Sequence, residues 1–310
     1  MKIAFVFPGQ GSQSVGMMKS FARLPGIRDT FDEASSVIGQ DLWQLVEAGP
    51  AEELNLTVNT QPVMLAAGVA LHRAWNASTE VRPIISAGHS LGEYSALVAG
   101  GAIDFADSVA LVRFRAQAMQ EAVPAGVGAM AAILGLEDDV VRTICKEASG
   151  PDGIAEAANF NSPAQVVIAG NVAAVERAME AAKGKGAKRA IMLPMSVPSH
   201  CSLMRPAADR MRERLGIVKI GTSGLPVLHN ADVKNAESAE AVRDALVHQL
   251  CQPVRWVDTI RAIVSAGATH IVECGPGRVL AGLNKRIAPE TQTLSFGDEP
   301  AFKEALAVLK

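Results

Sequence analysis

The stretch IISAGHSLGEYSALVAGGA, Ile84 to Ala102, changes its hydrophobic period halfway along. Ile84 to Ala87 is a short apolar run closed by Gly88, which predicts a strand, whereas the apolar residues from Leu91 to Val98 recur at helical spacing. Between them lies Gly88-His89-Ser90-Leu91-Gly92, a G-x-S-x-G turn whose glycines let the backbone bend tightly and push one hydroxyl out of the fold. Strand, sharp turn and helix in that order predict an α/β protein organised around an elbow, with Ser90 as its nucleophile. The helix that follows begins beside Ser90, and its free N–H groups suit negative charge developing there.

Working outward, composition sets limits on what such a site serves. A chain of 310 residues with 49% hydrophobic content is long enough for one large domain or a domain with an insertion. A net charge of -3 from 29 basic and 32 acidic residues offers no field for nucleic acid and no polybasic run for a membrane. The apolar start MKIAFVF is cut off at Pro8, too short for a signal peptide, and the run Val63 to Leu71 is far below the roughly 20 residues of a membrane span. Cys145, Cys201, Cys251 and Cys274 lie apart with no C-x-x-C pair, which suggests neither a zinc site nor a disulfide framework. The expectation is a cytoplasmic monomer with no metal and no redox cofactor.

Upstream of the elbow, Lys2 to Phe7 predicts a buried strand that breaks at Pro8-Gly9-Gln10-Gly11-Ser12-Gln13. This is neither G-x-G-x-x-G nor a Walker loop, so its use is to offer backbone N–H groups and the Gln10 amide to a neighbouring site. Helices are predicted over Ile27 to Ile38 and from Pro62 to Trp75, the second placing Gln61 at a helix start. Downstream, Asp107 to Val123 predicts a helix on which Arg115 falls among Leu111, Val112, Phe114, Ala118 and Met119, while Arg113 lies opposite with Gln117 and Gln120. An arginine in an apolar stripe needs a partner. Either an acidic residue of the protein supplies it, or a substrate carboxylate does.

From Gly126 to Pro194 the pattern runs strand, helix, two strands, helix, strand, the order of a ferredoxin-like βαββαβ unit. It predicts a small subdomain, residues 127–195, inserted into a large one formed by 1–126 and 196–310. Strands and helices alternate on both flanks of the insert, which argues for a mostly parallel sheet.

Ser90 needs a base, and six histidines compete. His72 and His248 fall in helices, His270 at the entry end of a strand, and His89 points away from its neighbour Ser90. In open α/β sheets active groups sit beyond the carboxyl ends of the strands, which leaves His200 and His229. His200 is favoured, because a proline-bearing loop running into a helix holds it rigidly, whereas His229 could pair with turn backbone. Asp232 is the candidate carboxylate to orient the base. A last-turn carbonyl near Gln249, freed where the helix ends before Pro253, is the main-chain alternative.

The motifs FPGQGSQ, TQP, GHSLGEYSALVAGGAIDFADS, MQEAVP, NFNSPAQVVIAG, VPSHCSLM and ECGPG occur in this order. With them the chain resembles the bacterial malonyl-CoA:acyl carrier protein transacylases, and the acyltransferase domains of fatty acid and polyketide synthases, essentially end to end. The resemblance implies an α/β-hydrolase-like large subdomain with a ferredoxin-like insert. It implies Ser90 as the acylated nucleophile, His200 as the base and the Gln249 carbonyl as its orienter. The N–H groups of Gln10 and Leu91 become an oxyanion hole, Arg115 the clamp on a malonyl carboxylate, and Gln61, Met119 and Val197 pocket residues. Ser199 stands where malonyl-selective synthase domains carry a bulky aromatic, although stand-alone bacterial members carry VPSH as here. The implied substrates are malonyl-CoA and the phosphopantetheine arm of acyl carrier protein. From their charge, the basic residues Lys188, Arg189, Lys285 and Arg286 are expected to receive an acidic carrier. A serine hydrolase such as a thioesterase, or a carrier-docking factor with a vestigial site, are the other readings that the elbow permits.

Overall fold

The computed structural model describes residues 1–195 and 197–309. In chain order the strands are β1 (Ile3–Phe7), β2 (Ile85–Gly88), β3 (Gly128–Leu134), β4 (Ala155–Ser162), β5 (Gln165–Asn171), β6 (Arg189–Met192), β7 (Val227–Leu228), β8 (His270–Glu273) and β9 (Gln292–Ser295). Five of them form one sheet in the order β7-β2-β1-β8-β9, with every pairing parallel. Parallel neighbours need crossovers, and the helices between these strands cover both faces. That is why β1 is apolar and buried along its whole length instead of alternating.

The other four strands make an antiparallel sheet in the order β4-β5-β3-β6. The helix Asp138–Ala148 connects β3 to β4 and the helix Val172–Gly184 connects β5 to β6, which completes the ferredoxin-like arrangement. The fold is therefore α/β, a mostly parallel sheet with a small antiparallel one. Ile133, Ile144, Val166, Ile168 and Val175 build a core under the small sheet that is separate from the main core. The two layers meet where β4 runs beside Val254, with the Phe160 N–H donating to the Val254 carbonyl at 2.9 Å. All four strands of the small sheet lie within 127–195, while Ser196, at the expected junction, lies outside the described residues. Among the described residues no helix is long and apolar enough to cross a membrane.

Two local expectations change. The helix predicted from Pro62 spans Thr57–Ser78, so Gln61 lies inside it instead of at its start. Pro62 has no N–H to offer the Val58 carbonyl four residues back. Arg113 takes that role: its Nη1 donates to the Val58 carbonyl at 2.8 Å, and to Asn59 Oδ1 and Gln40 Oε1 at 2.7 and 3.1 Å. The arginine expected on the solvent face is for this reason half-buried.

Candidate active site

The elbow is forced by close approach. A Cβ on Gly88 would lie 1.9 Å from the Gly92 carbonyl carbon, and one on Gly92 would lie 2.0 Å from the Phe7 carbonyl oxygen, so neither position admits a side chain. Ser90 sits between them at φ 52°, in the left-handed region that a residue with a Cβ adopts only under restraint. Asn230, just past β7, supplies that restraint. Its Oδ1 accepts from the Ser90 N–H at 2.7 Å and its Nδ2 donates to the Gly88 carbonyl at 2.6 Å.

Ser90 Oγ and His200 Nε2 are 2.7 Å apart, and His200 Nδ1 lies 2.8 Å from the Gln249 main-chain carbonyl. A carbonyl only accepts, so Nδ1 carries the proton and Nε2 is left with the lone pair that can take the serine proton. His200 is 3% exposed. Burial, and next the charge on Arg115, press its pKa down to about 3, against the pull of the Gln249 carbonyl. The imidazole rests neutral, ready to act as a base. Asp232 does not orient it: the Asp232 carboxylate accepts from the Lys234 N–H in its own turn, at 3.1 Å. His229 does not pair with turn backbone through its ring either. Its Nδ1 donates to Glu93 Oε1 at 2.7 Å.

Arg115 is 1% exposed and its partners are neutral. Nη1 donates to Gln61 Oε1 at 2.8 Å, Nη2 to Gln249 Oε1 at 2.9 Å, and Nη2 also reaches Ser90 Oγ at 3.4 Å. Its guanidinium lies 5.6 Å from the centre of the Tyr94 ring. Two amides therefore hold the fork in place without cancelling its charge, and Nε has no partner among the described residues.

These groups open onto a cleft of about 500 Å³ lined by Gln10, Gln61, Ser90, Leu91, Arg115, Met119 and His200 on one side. Met130, Asn159, Asn161 and Val167 of the small sheet line the other. The Gly9-Gln10 turn crosses directly over the elbow, since a Cβ on Gly9 would lie 3.7 Å from the Leu91 nitrogen. The Gln10 side chain lies with its Nε2 3.5 Å from Thr57 Oγ1. Val197 is the exception among the expected pocket residues: it is buried in the main core under the histidine loop and does not line the cleft. Lys188, Arg189, Lys285 and Arg286 are all exposed and stand outside the cleft. The first pair belongs to the β6 side of the small sheet, and the second to the helix Val279–Ile287, which packs near β4 at the opposite edge.

Three contributions escaped the sequence reading. Glu93 and Asn230 were not assigned roles, and Gln249 was read only through its carbonyl although its side chain bridges Arg115, the Ser90 carbonyl and Glu93. A signal existed for Glu93, the one charged residue of the elbow helix, but nothing local told which groups would surround it.

A family model described as the acyl transferase domain matches residues 4–289. The malonyl CoA-acyl carrier protein transacylase of Escherichia coli K12 is 52% identical over 305 residues, covering 98% of each chain. The crystal structure of an acyl-carrier-protein S-malonyltransferase from Burkholderia pseudomallei superposes with a TM-score of 0.97 at 57% identity, over 99% of this chain and 100% of that one. A malonyl-transacylase solved in complex with a type II PKS acyl-carrier protein superposes with a TM-score of 0.97 at 50% identity, over 99% and 100% of the two chains.

Proposed function

The chain belongs to the acyl transferase domain family, and from that premise we propose that it transfers malonyl from malonyl-CoA to the phosphopantetheine thiol of acyl carrier protein in fatty acid biosynthesis. The observation that carries the choice of acyl group is Arg115. A buried guanidinium held by two amides, with one nitrogen 3.4 Å from the nucleophile, is complementary to an acyl chain that ends in its own carboxylate.

The reaction runs in two half-cycles through one serine ester. His200 Nε2 takes the Ser90 proton as Oγ attacks the thioester carbonyl, and the tetrahedral oxyanion receives the N–H groups of Leu91 and Gln10. The C–S bond breaks, and His200 returns the proton to the departing CoA sulfur. The carrier thiol then enters, loses its proton to His200 and attacks the malonyl ester. Breaking the C–O bond sends that proton back to Ser90 Oγ. Malonyl-CoA and the carrier are substrates, and no step calls for a further cofactor. Throughout, the Gln249 carbonyl balances the imidazolium that forms on His200.

We read the carrier footprint onto Lys188, Arg189, Lys285 and Arg286, because the two pairs flank the small sheet that covers the cleft. Residues 127–195 are read as the small subdomain, because they enclose a core of their own.

Intact-mass measurement tests the central step. Incubation with malonyl-CoA alone adds one malonyl group to the wild type and none to Ser90→Ala, and added carrier protein removes it. An undiminished adduct on Ser90→Ala sinks the assignment.

A further inference from the structure

Glu93 lies in the first turn of the helix Gly92–Ala99 and is fully buried. A buried carboxylate requires donors on both oxygens. Oε1 accepts from His229 Nδ1 at 2.7 Å, while Oε2 accepts from the Asn230 N–H and from Gln249 Nε2, both at 2.9 Å. No contact of this carboxylate reaches the reacting atoms. Its reach is through Gln249.

The Gln249 amide has only one satisfactory orientation. Its NH2 group lies between two acceptors, Glu93 Oε2 and the Ser90 carbonyl, each at 2.9 Å, and its oxygen faces Arg115 Nη2 at 2.9 Å. Turned over, the amide would set N–H against the guanidinium and oxygen against two oxygens. The same residue's main-chain carbonyl holds His200. One side chain thus couples the clamp and the elbow, its backbone holds the base, and Glu93 is the side-chain acceptor that, with the Ser90 carbonyl, fixes which way the amide faces. Asn230, whose side chain restrains Ser90, is tied by its own N–H to the same carboxylate.

We propose that Glu93 is a positioning residue for acyl transfer, acting through Gln249 to aim Arg115 at the acyl carboxylate and through Asn230 to hold the elbow. The proposal rests on the function given above.

The test compares kcat/KM for malonyl-CoA and acetyl-CoA in wild type, Glu93→Ala, Glu93→Asp and Glu93→Gln, with circular dichroism to establish that each is folded. Glu93→Ala lowers the malonyl-to-acetyl ratio by about tenfold, the scale of losing one hydrogen bond to a charged group. Glu93→Asp, whose carboxylate is withdrawn by one methylene, lowers it in the same direction. Glu93→Gln recovers most of the ratio, because its oxygen still serves Gln249 and Asn230 while a neutral His229 presents Nδ1 as an acceptor to the new NH2. A purely structural role would change the folded fraction and leave the ratio alone. A folded Glu93→Ala or Glu93→Asp variant with the wild-type ratio overturns the proposal, and Glu93→Asp decides if the alanine variant does not fold. A wild type that fails to accept malonyl overturns the function itself, before any variant is measured.

Discussion

Two buried histidines, His200 at 3% exposure and His229 at 2%, flank the elbow, and their surroundings drive them apart. Burial disfavours the charged form of each. At His200 the nearby Arg115 adds to burial and the pKa falls to about 3. At His229 burial is outweighed by the charge and hydrogen bond of Glu93, and the pKa rises. Burial, reinforced by Arg115, keeps His200 a neutral base that can take a proton, whereas the Glu93 carboxylate makes His229 easier to protonate and accepts from its Nδ1. The histidine that is easiest to protonate is not the one placed to do the chemistry.

The largest expected effect tests that division directly. His200→Ala, losing the general base, lowers kcat by about two to four orders of magnitude with little change in fold. His229→Ala acts mainly on stability, because it takes away the donor that Glu93 Oε1 has in Nδ1 and leaves that buried oxygen unpaired. Turnover assays and melting curves on both variants check this, and comparable turnover in His200→Ala and wild type would remove His200 as the base.

Next in size is the cation that sets the two sites apart. Arg115→Ala removes a charge-assisted pair worth about 1.5 to 3 kcal/mol, so malonyl transfer falls roughly ten- to hundredfold while acetyl transfer loses little or gains. Lysine at the position rescues only partly, since a point charge lacks the fork. Without the guanidinium, the His200 pKa moves upward. Steady-state kinetics with both thioesters, and NMR titration of the His200 ring in wild type and Arg115→Ala, measure the two consequences. An unchanged malonyl-to-acetyl ratio breaks the assignment of Arg115 as the clamp.

Stability against pH sharpens the contrast further, because the two histidines contribute with opposite sign. His200 has a folded pKa below its unfolded one, so its contribution is present above about pH 6.5 and is lost as pH falls toward about 3. His229 has a raised folded pKa, so its contribution is present below about pH 6.5 and is lost as pH rises through the raised value. Glu273, raised to about 7 by burial against the hydrogen bonds it receives from the next helix, also loses stability as pH rises from about 4.5 to about 7. The comparison is therefore made between wild type and variant. The Tm deficit of His229→Gln shrinks as pH rises, whereas that of His200→Gln shrinks as pH falls. A His229→Gln deficit that does not depend on pH argues against the charged pair with Glu93.

The smallest effect lies at the rim, where charges are solvated and screened. Reversing Lys188 and Arg189 to glutamate raises the KM for carrier protein several-fold and flattens its salt dependence, leaving the malonyl half-reaction intact. Reversal of Lys285 and Arg286 does the same from the other edge of the sheet. If neither pair alters the carrier KM, the footprint lies elsewhere.

Local pattern was enough for much of this molecule. Apolar runs ending in glycine or proline, helical stripes, and the G-x-S-x-G turn are properties of adjacent residues, so the elbow, the alternation that makes a parallel sheet and the βαββαβ order were legible in the chain. The start of the helix that begins at Thr57 was misread because a proline locally marks a helix's first turn, whereas here the carbonyl that Pro62 leaves free is taken by Arg113, far along the sequence. The site follows the same division. Ser90 announces itself, but its hydrogen bonds run to His200, Asn230 and Gln249, brought to it from other parts of the chain by the sheet and its crossovers. Whether Arg115 met a protein carboxylate or waited for another was undecidable from its helix, because the answer depends on which side chains the fold brings within 4 Å of it. Tertiary structure decided that they are the amides of Gln61 and Gln249, and that the nearest acid, Glu93, is occupied with His229. Sequence spacing determines which face of an element is buried; only packing determines which charges share that burial.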